Sequence, residues 1–196
     1  MAESIVQVTE GSGKKLHTYS YTVGANTVED EVVVPGPFPN ATYSVYSGNV
    51  SSATAASHVM QLMAGASLKV RVTRITIQAV GAATGVVRFE IVRVSTAGTG
   101  GTAIAARPYD SADAAAGAAG MTLPTVKGTE TIVLGSLTGG FLGATQVYIA
   151  RNDWTARAYG KAIVIPAGTT NGIVLKTSGL AASTYDVEFE FVETAF

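Results

Sequence analysis

The chain has 196 residues, of which 14% are charged, with a net charge of −1, no cysteine and two histidines. That balance excludes a basic field for nucleic acid, disulfides, thiol catalysis and zinc–thiolate sites. Mean hydropathy is +0.30, but the apolar residues are scattered among Gly, Thr and Ser, and no window approaches the ~18 apolar residues a spanning helix needs.

The opening Met1-Ala-Glu-Ser-Ile-Val lacks the basic and apolar regions of a secretory signal. The expectation is a chain made and first folded in a cytoplasm, without membrane or nucleic-acid partners. The first 56 residues read as an extended N-terminal arm. Tyr19, Tyr21 and Val23 alternate with Thr18, Ser20 and Thr22 before a turn at Gly24-Ala-Asn26, and a weaker strand signal covers Asp30–Val34. In Pro35-Gly-Pro-Phe-Pro39, Pro37 and Pro39 have no N–H to give a ladder, so the chain is extended here but unsuited to a central strand. Thr42–Tyr46 is another weak strand signal, and Ser51-Ser-Ala-Thr-Ala-Ala-Ser57 reads as a linker. The expected division is therefore an arm over residues 1–56 and a β-sandwich over 57–196, with the arm dispensable for folding.

Within the second part, His58–Met63 carries a weak strand signal and Leu68–Ala79 a strong one. Leu68, Val70 and Val72 share one parity, whereas Ile75, Ile77 and Ala79 take the other. A strand cannot keep both sets on one face unless it bulges or bends near Thr73-Arg74. Val86–Val94 places Val87, Phe89 and Ile91 inward, with Arg88, Glu90 and Arg93 outward, and Gly81–Gly85 suits a short hairpin connection. Ser95–Glu130 is a long Ala/Gly/Thr-rich excursion without alternation. Ser111-Ala-Asp-Ala-Ala-Ala within it has the composition of a helical turn or two, capped by Asp110 or Ser111 and ended by Gly117 and Gly120. Loops this long in compact domains are usually functional.

Further strands are expected at Thr131–Leu134, Gln146–Arg151, Lys161–Ile165 and Gly172–Lys176, with Asn171-Gly172 supplying positive-φ turn positions between the last two. From Tyr185 to Glu193 the alternation of Tyr185, Val187, Phe189 and Phe191 with Asp186, Glu188 and Glu190 marks a half-buried strand. If it neighbours the strands carrying Lys69, Arg71, Arg88 and Arg93, cross-strand ion pairs follow. The sum of short strands is the pattern of an all-β sandwich or barrel.

Catalytic parts are scarce. Gly11-Ser-Gly-Lys14-Lys15 has Val8 where a phosphate loop needs its first glycine, and no helix follows. His17 and His58 have no carboxylate at ligand spacing, and no Gly-x-Ser-x-Gly elbow is present. Asp110 and Asp113, with Glu130 beyond, carry calcium-type oxygens, but capping accounts for the first two. The expectation is therefore a non-enzymatic chain without cofactor or metal. The most chemically dense stretch runs from Tyr148 to Lys161. Its candidate binding residues are Trp154, Arg157 and Tyr159, which suit a sugar-stacking or cation–π platform. The simpler reading has Trp154 covering the open end of the core.

Several runs carry a family likeness. Met60-Gln-Leu-Met-Ala-Gly-Ala-Ser-Leu-Lys-Val-Arg-Val-Thr-Arg-Ile75 resembles structural proteins of tailed bacteriophages and prophages. So do Thr96-Ala-Gly-Thr-Gly-Gly-Thr-Ala103 with Asp110-Ser-Ala-Asp-Ala-Ala, Ile165-Pro-Ala-Gly-Thr-Thr-Asn-Gly-Ile173, the closing Val187-Glu-Phe-Glu-Phe-Val-Glu193, and Gly24-Ala-Asn-Thr-Val-Glu29 in the arm. The resemblance implies a virion component with a jelly-roll-like antiparallel β-sandwich, an extended N-terminal arm, and no enzymatic residues to carry over. On that basis the chain is expected to decorate or cement a capsid through its arm and long loop, with the major capsid protein or other virion proteins as partners. A homo-oligomer is expected, a trimer first. The alternative is a phage tail or fibre component that binds a host glycan through the Trp154 region.

Overall fold

The computed structural model describes residues 18–23, 26–31, 41–52, 57–80, 85–141, 149–153, 162–178 and 183–194. The chain divides into two compact units, Met1–Pro39 and Asn40–Phe196. The first contains a hairpin of β1 (Thr18–Val23) and β2 (Asn26–Glu31), paired antiparallel from Thr18↔Glu31 to Val23↔Asn26.

The second unit is a sandwich of two antiparallel sheets. Its strands are β3 (Thr42–Ser52), β4 (His58–Met63), β5 (Lys69–Ala79), β6 (Gly85–Val94), β7 (Thr102–Ala105), β8 (Arg107–Pro108), β9 (Ala119–Thr122), β10 (Glu130–Phe141), β11 (Ile149–Asp153), β12 (Ile163–Ile165), β13 (Gly172–Thr177) and β14 (Ser183–Thr194). One sheet runs β11-β5-β14-β3-β8, with β12 following β11 along the same edge of β5; the other runs β10-β6-β13-β4-β9-β7.

These orders have a simple origin. Each outgoing strand pairs with its counterpart on the way back: β3 with β14, β4 with β13, β5 with β11 and β12, and β6 with β10. The chain is thus a long antiparallel double ribbon, wrapped so that successive pairs fall in opposite sheets. That is the jelly roll. The excursion after β6 sits where the ribbon doubles back, and its three short strands extend the sheets outward.

The core is made by parity. Tyr185, Val187, Phe189 and Phe191 of β14 are fully buried, and they meet Val59, Met60, Leu62, Phe89, Ile91, Ile173 and Leu175 of the facing sheet. Phe89 packs edge-on against Tyr185 with ring centroids 5.0 Å apart, and Tyr43 stacks on Phe191 at 5.5 Å. The expected change of parity in β5 is a bulge: Glu190 pairs with Arg74 and Phe191 with Val72, leaving Thr73 as the extra residue. Val70 and Val72 before it and Ile75, Ile77 and Ala79 after it all reach the core.

Other expectations are corrected. The sandwich begins at Asn40, not at residue 57, because Tyr43, Val45 and Val50 of β3 are buried and β3 pairs with β14 along nearly its whole length. Gly81–Gly85 does not close a hairpin, since β5 and β6 belong to different sheets. The same holds for Pro166–Asn171, which crosses from β12 to β13. There Gly168 takes the positive φ, +121°, and its carbonyl accepts from the Asn171 N–H.

No helix forms at Ser111–Ala116. Asp110 makes a single turn instead, its carbonyl accepting from Asp113 N–H and its carboxylate from Ala112 N–H. Arg93 is not simply outward, because its guanidinium crosses to the Val164 carbonyl of the other sheet at 2.9 Å.

Removing residues 1–39 is expected to leave a cooperative urea transition. Removing residues 1–56 also deletes β3, and with it three buried side chains worth about 1.5–3 kcal/mol each. Against a typical stability of about 5–15 kcal/mol, that loss is expected to abolish the transition, which circular dichroism in urea would show.

Candidate functional site

Jelly-roll wrapping leaves open sides where the outermost strands of the two sheets do not pair. On one such side, β7 ends one sheet and β8 ends the other. Between them lies a cleft of about 490 Å³, lined by Ser44, Tyr46, Ala103, Ile104, Ala105, Arg107 and Tyr109. Ser44 and Tyr46 share the outward parity of β3, because Tyr43 and Val45 take the core. Arg107 lies opposite Ser44 in the β3–β8 ladder.

Both tyrosine rings are more than half exposed, Tyr46 at 53% and Tyr109 at 57%. Their hydroxyls are nevertheless held. Tyr46 donates to Asp186 at 3.1 Å, and Tyr109 donates to Glu190 at 2.8 Å. Ser44 donates to Glu188 at 2.8 Å. Burial and the Glu190 hydrogen bond push the Tyr109 phenol up to about 12, so it stays a neutral donor. Burial and the bond to Asp186 raise Tyr46 as well.

Behind the rings, Glu190 also accepts from Thr73 and pairs with Arg74. This is the cross-strand ion pair expected between β5 and β14, made by Arg74 rather than by Lys69 or Arg71. The arrangement is a rigid, partly aromatic surface with a single lining charge, Arg107. With the Ser44 hydroxyl held against the Glu188 carboxylate, it has the geometry of a binding cleft.

A second polar cluster holds the end of the excursion. His58 does have a carboxylate partner, contrary to the reading of its sequence neighbours: Nε2–H donates to Glu130 at 2.9 Å. Lys176 donates to the other Glu130 oxygen at 2.7 Å. Glu130 lies far from His58 along the chain, so no local spacing signals the pair. The His58 side chain is wholly buried, and its Nδ1 has no partner among the described residues. A ring sealed in this way anchors the returning strand β10; it does not face the cleft.

Glu193 does similar work within the excursion. It accepts from Gly117 N–H at 3.0 Å and Ala118 N–H at 2.7 Å. Gly65 is required here, since a Cβ on it would lie 2.8 Å from the Gly117 backbone.

The predicted site residues Trp154, Arg157 and Tyr159 lie outside the described residues, as do His17, Lys14 and Lys15. The calcium-type trio is not assembled, because Asp110 caps its own turn and Glu130 is held by His58 and Lys176. Among the described residues no group of three His, Asp or Glu side chains is placed to hold a metal. The residues missed by sequence reasoning are Tyr46 and Tyr109, which only the β3–β8 pairing brings to one cleft. No family model, curated protein or solved structure matches this chain.

Burial alone would raise the Glu130 carboxyl, but the hydrogen bonds from Lys176 and His58 outweigh it and leave it below the usual value. A carboxyl depressed on folding adds stability above its unfolded value, and that stability is lost as pH falls through the folded one. Glu130→Gln is therefore expected to cost on the order of 1–2 kcal/mol near neutral pH. The gap from the parent should shrink as pH drops below about 4. Urea unfolding of both proteins across that range checks this, and a gap independent of pH contradicts it.

Proposed function

We propose that this chain is a non-enzymatic structural component of a bacteriophage virion, one that decorates or cements the capsid. In this reading it assembles as a homo-oligomer, a trimer being the first expectation, and the major capsid protein is its principal partner. It is made in the host cytoplasm and ends in the particle.

The observation that carries the reading is the outer edge of β10. Ile132, Val133 and Leu134 are exposed at 57%, 51% and 38%, so successive residues on both faces of this strand meet water. Among the described residues β10 ends its sheet, pairing with β6 on one side. Natural edge strands are guarded by charge, proline or bulges; β10 has register shifts between Glu130 and Ile132 and between Val133 and Gly135, yet no charged residue occurs from Thr131 to Ala150. An uncharged apolar margin of this kind is what a protein needs if another chain is to cover it.

The excursion supports the same reading. It is stitched down by Glu193, Glu130 and the Gln61–Gly98 pair of hydrogen bonds, while Val126 at its surface is 63% exposed. A preformed loop binds with less ordering cost than a floppy one. Sequence resemblance to phage structural proteins adds the capsid to this picture, and repetition over a shell would convert weak contacts into avidity. The arm unit is the second attachment element.

The test is electron microscopy of phage particles carrying the parent or the Ile132→Lys, Val133→Lys double variant. Regular copies on the shell are expected for the parent, with occupancy reduced about tenfold for the variant. Thermal stability should be nearly unchanged, since exposed substitutions usually stay within about 0.5 kcal/mol. Absence of the parent from particles, or unaltered occupancy of the variant, contradicts the reading.

A further inference from the structure

We infer that the cleft between β7 and β8 binds a neutral saccharide, stacked on Tyr46 and Tyr109 and hydrogen-bonded by Ser44 and Arg107. The inference is independent of any capsid partner and uses a different side of the molecule from the β10 edge.

The first argument is preorganisation. Large aromatic faces left open to water are costly to leave uncovered, and here two of them line one cleft. Their hydroxyls are fixed by Asp186 and Glu190, so the rings have little rotational freedom to lose when a ligand arrives. Rigid aromatic platforms of this kind bind at low entropic cost. The floor, Ala103 and Ala105 with Ile104 between them, leaves room for a flat ligand to settle.

The second argument is the pattern of donors and acceptors. Ser44, Tyr46 and Tyr109 all donate to carboxylates of β14. Their oxygens are left as acceptors. Arg107 contributes guanidinium donors and has no ion-pair partner among the described residues. A sugar hydroxyl both donates and accepts, so it satisfies both kinds of group. The apolar C–H face of a pyranose suits the tyrosine rings.

The third argument fixes the charge class. Asp186, Glu188 and Glu190 lie against the cleft's hydroxyls, and among the described residues only Glu190 has an ion-pair partner, Arg74. Their field opposes an acidic sugar or a phosphate more than Arg107 alone attracts one. The volume, about 490 Å³, lies in the range of small-ligand sites.

The full chain is to be probed on an array of neutral and acidic glycans, and the strongest hit is then titrated calorimetrically as the free oligosaccharide. Retention of neutral glycans is expected, with affinity falling about tenfold in Tyr46→Ala and in Tyr109→Ala, a loss of about 1.4 kcal/mol. Tyr46→Phe keeps the stacking face but loses the tether to Asp186 and the acceptor oxygen, so it should bind between the parent and Tyr46→Ala, and thermal unfolding of each variant separates lost binding from lost fold. The inference is overturned if no neutral glycan is retained or if only sialylated or sulfated glycans are. It is equally overturned if both alanine variants bind like the parent, or if Trp154→Ala alone removes binding.

Discussion

Strand β14 must satisfy two neighbours at once, and the rest of the sandwich follows from how it does so. It lies between β3 and β5 and pairs with both along most of its length. Its inward residues, Tyr185, Val187, Phe189 and Phe191, form the centre of the core. A one-residue slip against either neighbour would turn those rings to solvent. Each neighbour, however, carries an extra residue: Thr73 in β5, and one at Gly48-Asn49 in β3. The outward carboxylates of β14 hold both irregularities. Glu190 accepts from the Thr73 hydroxyl, and Asp186 accepts from the Asn49 N–H, where the backbone takes a φ of +55°. Asparagine tolerates that conformation better than most residues.

The scarcity of charge acquires a meaning from this. In β14, Asp186, Glu188, Glu190 and Glu193 all accept hydrogen bonds from neighbouring elements. These acids fix register and tether the excursion. Glu130 does the same for the return into β10. With charge concentrated on holding the ribbon in register, the β10 edge is left without it. A neutral edge carries no desolvation penalty of the kind a charged one would have at an interface. The same economy therefore produces the stable body and the uncharged margin.

What was legible in the sequence depended on whether its cause was local. The parity change from Val72 to Ile75 is visible in a dozen residues, and the bulge at Thr73 follows from it. The alternation in β14 is equally local. The connections are different, because a glycine-rich link between two strands looks the same whether it closes a hairpin or crosses between sheets. Gly81–Gly85 and Pro166–Asn171 cross, which only the wrapping of the whole ribbon decides. β3 was legible over Thr42–Tyr46, and its continuation was hidden for a related reason. Its alternation breaks at Gly48-Asn49, and the bulge there needs β14, far along the chain, to make sense of it. His58 and Glu130 meet only because the excursion returns to the sheet that contains β4, and Tyr46 meets Tyr109 only because β8 adds to β3.

The wrapping also explains why the cleft lies where it does. A rolled ribbon buries its middle strands on both edges but cannot close its outermost ones, unlike a complete barrel. The excursion postpones the problem by adding β9 and β7 to one sheet and β8 to the other. It moves the open edges outward, and Ala103–Ala105 and Arg107 come to face each other across the cleft. In that sense the insertion at the ribbon's turn builds the cleft as well as extending the sheets. Tyr109 shows the coupling directly: it belongs to the excursion, yet its hydroxyl is held by Glu190, the same carboxylate that anchors the bulge in β5. Any change that frees Glu190 therefore loosens the register of the sheet and the aromatic wall of the cleft together.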